Sequence, residues 1–233
     1  MEPKGQQRDE VRISVRKGPI MFFIPFGGVL YLVPSMLMVM AYTLLLTPVF
    51  SQFMPLGEAK LLALEIPFSI FLLFPVSIVY DVRYVDGKPV ASGISIGGTI
   101  IPVGVAAYIL WELRAWILYA LLVLGVTVLV NWATSKPDPE LGIVGYTPVE
   151  VLVTVALSAF LFANRYDLLP AVTFSTSVIG MAVGGDVLHG NQLRSIIKYN
   201  HVMGGGGMLD GISKAGLYAL ALSYALIVFR IHL

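Results

Sequence analysis

The sequence predicts an all-α, polytopic transmembrane helical bundle of about seven helices, with proline- and glycine-interrupted spans. Three observations predict it. Hydrophobic residues make up 57% of the chain and charged residues only 12%, against about 45–50% and about 25% in soluble domains. Mean hydropathy is +0.84. The apolar residues also fall into long runs near the roughly 20 residues that cross a ~30 Å hydrocarbon core. A soluble fold of 233 residues has too small a core to hide that many runs.

Residues 1–19 read as a basic cytoplasmic tail, carrying Lys4, Arg8, Arg12, Arg16 and Lys17, and residues 20–233 as a single transmembrane domain. The apolar run from Ile20 is far longer than a signal-peptide core, so it reads as a retained span. In order, the expected spans are 20–46, 60–80, 93–111, 115–133, 148–164, 168–188 and 206–229. The segment from Thr47 to Lys60 breaks the first pair with Pro48, Pro55, Gly57 and Glu58. Asp81 to Ser92 holds Asp81, Arg83, Asp86 and Lys88 with an Asp-Gly turn dipeptide, and reads as a loop. Thr134 to Thr147 contains Lys136-Pro137-Asp138-Pro139-Glu140, and Asn164-Arg165-Tyr166-Asp167 separates the fifth and sixth spans.

Orientation follows from the cations. With the N-terminus in the cytoplasm, ten Lys and Arg residues lie inside: the five of the tail with Arg83, Lys88, Lys136, Arg194 and Lys198. Lys60, Arg114, Arg165 and Arg230 lie outside, the bias that the positive-inside rule requires. The expected location is therefore the cell membrane, multi-pass, with a cytoplasmic N-terminus. The expected partners are the lipid bilayer and, at the basic tail, anionic lipid headgroups, and not nucleic acid. Trp111, Trp116 and Trp132 sit at span ends, as interfacial anchors do. The chain has no cysteine, which excludes disulfides, thiolate metal sites and a cysteine nucleophile. No residue pattern names a cofactor.

Several spans are not plain helices. Pro25, Pro34, Pro67, Pro75, Pro102 and Pro170 lie in or beside apolar runs, where proline is tolerated if neighbours satisfy the freed carbonyls. Gly27-Gly28 and Gly97-Gly98 read as close helix packing. The run Gly204–Gly207 beside Asp210 reads instead as unwound backbone lining a cavity. Ser95–Gly104 (SIGGTIIPVG) faintly echoes Ala182–Gly190 (AVGGDVLHG) three spans later.

Three blocks stand out: GISIGGTIIPVG, VGGDVLHG and GGGGMLDGISKAG. They resemble the signature blocks of the DUF1614 family of prokaryotic membrane proteins, whose pattern runs N-x-G-G-A-x-I-P, G-A-D-L-L and G-G-A-G-T-F-D-G-I-F. The resemblance extends in order from about Ser69 to the C-terminus. It implies a membrane protein of undetermined activity, with the distinctive polar positions falling on Asp186 and Asp210. Two positions depart from the pattern: Ser95 replaces its Asn, and Lys214 replaces an apolar residue.

Asp186 ends the sixth span and Asp210 opens the seventh, at one depth on the cytoplasmic side. A carboxylate in that setting costs a few kcal/mol unless paired or used, so the pair marks a candidate site. One reading is proton- or ion-coupled transport, with Asp186, Asp210, Lys214, Gly185 and Gly207 forming an ion or substrate site and Glu65 beside Pro67 extending a path. Another is an intramembrane aspartyl protease using Asp186 and Asp210 as catalytic carboxylates sharing one proton. Its Gly-Gly-Asp resembles part of the Gly-x-Gly-Asp motif of presenilin-like and prepilin peptidases, but Val183 breaks that motif. A third is a metal site of Asp186, His189, His201 and Asp210, a carboxylate–imidazole set suited to Zn²⁺, Mn²⁺ or Fe²⁺. The plainest is structural: Asp186 caps a helix end, and Asp210 pairs with Lys214 one turn later.

Overall fold

A computed structural model describes residues 12–15, 27–73, 75–139, 142–196 and 199–231. The chain order is β1 (Arg12–Val15), α1 (Gly27–Phe50), α2 (Leu56–Leu73), β2 (Val76–Val85), β3 (Lys88–Ser95), α3 (Ile101–Glu112), α4 (Ile117–Thr134), β4 (Lys136–Asp138), β5 (Gly142–Val144), α5 (Thr147–Leu161), α6 (Leu169–Gly180), α7 (Gly190–Ile196), β6 (His201–Met203) and α8 (Gly211–Ile231). Four helical stretches are long and apolar enough to cross a membrane: Leu32–Phe50, Arg114–Thr134, Tyr166–Val187 and Gly211–Arg230. Ile96–Glu112 and Thr147–Leu161 are shorter apolar helices. The chain is therefore a multi-pass, mainly helical membrane protein.

The bundle is built around one helix. Tyr166–Val187, which contains α6, is 89% buried inside the protein, whereas Arg114–Thr134 is 22% buried. α6 packs against α3, α4, α5 and α8. The outer helices turn large apolar side chains outward, among them Leu37, Leu44, Leu118 and Phe160. In water such surface would drive aggregation, but in lipid it is the solvent-facing side. Inside, Leu46, Ile109, Phe174, Ile212 and Leu220 form part of the core.

The expectation of an all-α chain is corrected at residues 76–95. The anticipated span over 60–80 ends as helix at Leu73. Pro75 disfavours helix just before it, and the following Val76-Ser77-Ile78-Val79-Tyr80 is β-branched and aromatic, which suits a strand. β2 and β3 pair antiparallel through an Asp86-Gly87 turn whose two residues both have positive φ, 51° and 75°, the Asp-Gly hairpin turn that matches strand twist. The segment expected to be a loop is thus a hairpin. β1 joins it antiparallel to β2, so part of the basic tail belongs to a sheet. Of the cations assigned to anionic lipid, only Arg12 falls in the described residues. β6 completes the order β1-β2-β3-β6 by pairing parallel with β3. β4 and β5 form a separate two-stranded ribbon.

Candidate functional site

Both glycine pairs of the sequence echo become π-helical turns. Ile96–Ile100 is one, entering α3, and Met181–Val187 is the other, continuing α6. In the second, Leu188 N–H bonds back five residues to the Val183 carbonyl at 3.0 Å. Single π turns inside α-helices cluster at functional sites. This one packs on α4 because Gly184 has no side chain: a Cβ there would lie 2.3 Å from the Val128 carbonyl oxygen. Gly185 is less crowded: a Cβ there would lie 3.3 Å from Met181 Sδ and 3.6 Å from Ser135 Oγ, both on side chains that can shift.

Asp186 leaves this turn into a cavity of about 440 Å³. Four elements enclose it. The β5–α5 connection gives Gly145 and Thr147, the π turn gives Met181 and Asp186, the rim from Asn200 to Gly206 gives His201, and the start of α8 gives Asp210 and Lys214. The structure thus gathers Asp186, Asp210 and Lys214 in one space, and the two carboxylates interact electrostatically.

The rim is held by backbone contact. Gly204 has φ +70° and lies against Gly98, where a Cβ would sit 1.8 Å from the Gly204 carbonyl oxygen. Asn200 Oδ1 accepts from Ala91 N–H at 2.8 Å, tying the rim to β3.

Asp210 caps α8. Its Oδ1 accepts from Ile212 N–H at 3.1 Å and its Oδ2 from Gly206 N–H at 3.3 Å, the expected role of an Asp at an N-cap. Burial raises the pKa of this carboxyl, and the bonds from Ile212 and Gly206, then the charge of Lys214, pull it back part of the way. Lys214 donates its backbone N–H to the Asp210 carbonyl at 2.9 Å. Among the described residues no side-chain ion pair joins the two. Asp186 receives no hydrogen bond among the described residues, so it is the carboxylate open to a ligand.

The other expected positions fall differently. His189 is buried, its Nδ1 facing the Gly184 and Gly185 carbonyls at 3.2 and 2.9 Å, so that nitrogen carries the proton and satisfies carbonyls of the π turn. Gly207, with φ +59°, shapes the turn before Asp210 rather than lining the cavity. Glu65 is exposed on α2, away from the cavity. Among the described residues no group of three or more His, Asp or Glu side chains is placed to hold a metal ion. The four-residue metal set is therefore not assembled.

One acidic residue went unread in the sequence. Glu150 lies one turn behind Thr147 in α5 and is fully buried. Its signal is spacing: Thr127 and Asn131 on α4 and Ser135 at its C-cap recur at i, i+4 and i+8, as do Glu150, Thr154 and Ser158 on α5. In a membrane helix such a polar stripe faces the protein interior.

Residues 58–222 match the family model described as a protein of unknown function, DUF1614. The match begins before Ser69, at Glu58, and stops at Leu222. No curated protein and no solved structure matches the chain.

Proposed function

The chain belongs to the DUF1614 family, and we propose that it moves a small cation or protons across the membrane through the Asp186–Asp210 cavity. One observation carries the reading: an uncapped carboxylate, Asp186, stands in a polar cavity at the π-helical end of the most buried helix. Asp186, Asp210 and Lys214 together leave the cavity one negative charge in excess when ionised, which favours a monovalent cation over an anion. Broken helix ends with carboxylates and free backbone groups at membrane depth suit ion coordination and proton relay. α2, α3 and α5 complete seven crossings, with the N-terminus, the sheet and the cavity on the cytoplasmic side in accord with the charge bias.

Proteolysis fits less well. A dyad shares one proton between two carboxylates that must both be free to meet substrate, and Asp210 already accepts two backbone N–H groups.

The test is purified full-length protein in liposomes of neutral lipid, assayed in parallel for proton flux, Na⁺ and K⁺ flux, and cleavage of single-span peptides. Flux that falls at least tenfold in Asp186→Asn, and changes in Lys214→Leu, supports the reading. Cleavage abolished by Asp186→Asn or Asp210→Asn replaces it with a protease. Flux indifferent to all three changes removes the cavity from transport.

A further inference from the structure

Behind the cavity, the polar stripes of α4 and α5 face each other, and α6 and α8 add Thr173, Ser177 and Ser223, all buried. Thr127 Oγ1 donates to the Val123 carbonyl at 2.8 Å. Either hydroxyl can donate in the 2.8 Å contact between Thr127 and Thr154; while Thr127 keeps its bond to Val123, the proton comes from Thr154. Thr154 then has none left for Glu150 Oε1, 3.4 Å away. With Thr127 so bonded, a protonated Glu150 completes the chain by donating to Thr154; if Thr127 turns to Thr154 instead, Thr154 is free to donate to an ionised Glu150. The two protonation states of Glu150 therefore go with two hydroxyl arrangements, one of which gives up the Thr127–Val123 contact.

The rest of the seam is short of partners too. Ser158 Oγ, Asn131 Oδ1 and Ser135 Oγ are buried without a hydrogen-bond partner. Buried polar atoms without protein partners are the kind that ordered water satisfies. The Ser177 hydroxyl sits beside the Glu150 carboxyl. Ser135 Oγ lies only 2.8 Å from the place a Cβ would take on the cavity residue Gly145, and 3.6 Å from that of Gly185. Thr147 lines the cavity itself and precedes Glu150 by one turn, a rise of about 4.5 Å. No charged side chain of α4, α6 or α8 faces Glu150 among the described residues.

We propose that Glu150 is an intramembrane proton-binding carboxyl whose exchange path opens through Ser135 and Thr147 onto the Asp186–Asp210 cavity. The proposal deepens the transport reading by naming the coupling ion as the proton and the residue that holds it within the bundle; its proton site is tested without transport.

A membrane-soluble carbodiimide reacts with protonated carboxyls in apolar surroundings to give a stable acylurea, read by peptide mass. On the full chain in liposomes, the reagent is expected to modify Glu150 at neutral pH. The modification should fall as pH rises, vanish in Glu150→Gln and return in Glu150→Asp. Proton flux in Glu150→Gln should drop at least tenfold. The pH profile on the unaltered chain needs no variant, so a Glu150→Gln protein that fails to fold leaves the test intact. A Glu150 left unmodified at every pH, or modified to the same extent across pH, overturns the proposal. Modification that follows pH in a protein without flux upholds the proton site and removes the transport reading. Flux that needs Asp186 but not Glu150 keeps the cavity reading and overturns this one.

Discussion

The two π-helical glycine turns have nearly the same sequence core and opposite fates. At Ile96–Ile100 the turn is closed: Ser95 Oγ accepts Gly98 N–H at 3.0 Å, Gly97 and Gly98 are buried, and the Gly204 backbone presses directly on Gly98. At Met181–Val187 the turn is open: Gly184 is pressed on α4, but Gly185 has slack and Asp186 looks into the cavity. The difference teaches that a Gly-Gly pair in a membrane helix only makes a widened turn available. What approaches it decides whether it is a clamp or a site. Here the clamp holds Gly204, part of the rim of the cavity that the open turn floors, so the two turns work on one space from different helices.

Substitution at the closed turn should do most damage. Gly98→Ala places a methyl on a carbonyl oxygen that only backbone movement can clear, so a loss of about 3 kcal/mol is expected, seen as a collapse in thermal stability in detergent. Gly185→Ala meets only the flexible Met181 thioether and the Ser135 hydroxyl, and should cost about 1 kcal/mol or less while lowering cation binding. Equal losses in the two variants would abolish the contrast.

Removing the cap comes next. Asp210→Ala removes the acceptors for Ile212 N–H in α8 and for Gly206 N–H in the turn before it and should destabilise by about 1 kcal/mol, whereas Asp186→Asn should leave the melting temperature nearly unchanged and act on binding alone. Within the seam, Thr154→Val removes one link and should cost about 1 kcal/mol, with the carbodiimide reaction at Glu150 altered. The smallest expected effect is a shift of midpoint. Because burial raises the Asp210 pKa, protons should displace bound cation at a pH above the ordinary aspartate range. Binding should weaken as pH falls through that point, measured by isothermal titration, and Asp210→Asn should flatten the profile.

Much of this was readable in the chain, and the failures have physical causes. Composition and apolar runs gave the membrane class, because lipid imposes a composition that no soluble core tolerates. Asp186 and Asp210 drew attention for the same reason. The hairpin was missed because Val76–Tyr80 is as apolar as a span, and only Pro75 and the Asp86-Gly87 turn betray it. The Asp210–Lys214 pair expected from i,i+4 spacing gave way to a helix cap, since Asp210 lies outside the helix and its carboxylate turns to nearer N–H groups. Glu150 went unread because Tyr146 to Pro148 suggested a span edge, where an acid is ordinary. Only its register with Thr154 and Ser158 places it inside.

The parallel pairing of β3 with β6 also bears on how the protein is made. β1, β2 and β3 can associate once the hairpin has left the ribosome, but Ser92 and Ile94 must wait for His201 and Met203, which arrive after α4, α5 and α6 have been inserted. Until then β3 presents an unpaired edge, the kind of edge that recruits other strands. Closure of the rim is therefore a late event of biogenesis. A chain truncated before β6 should be recognised as unfinished by whatever surveys open strands, even with most of its helices already in lipid.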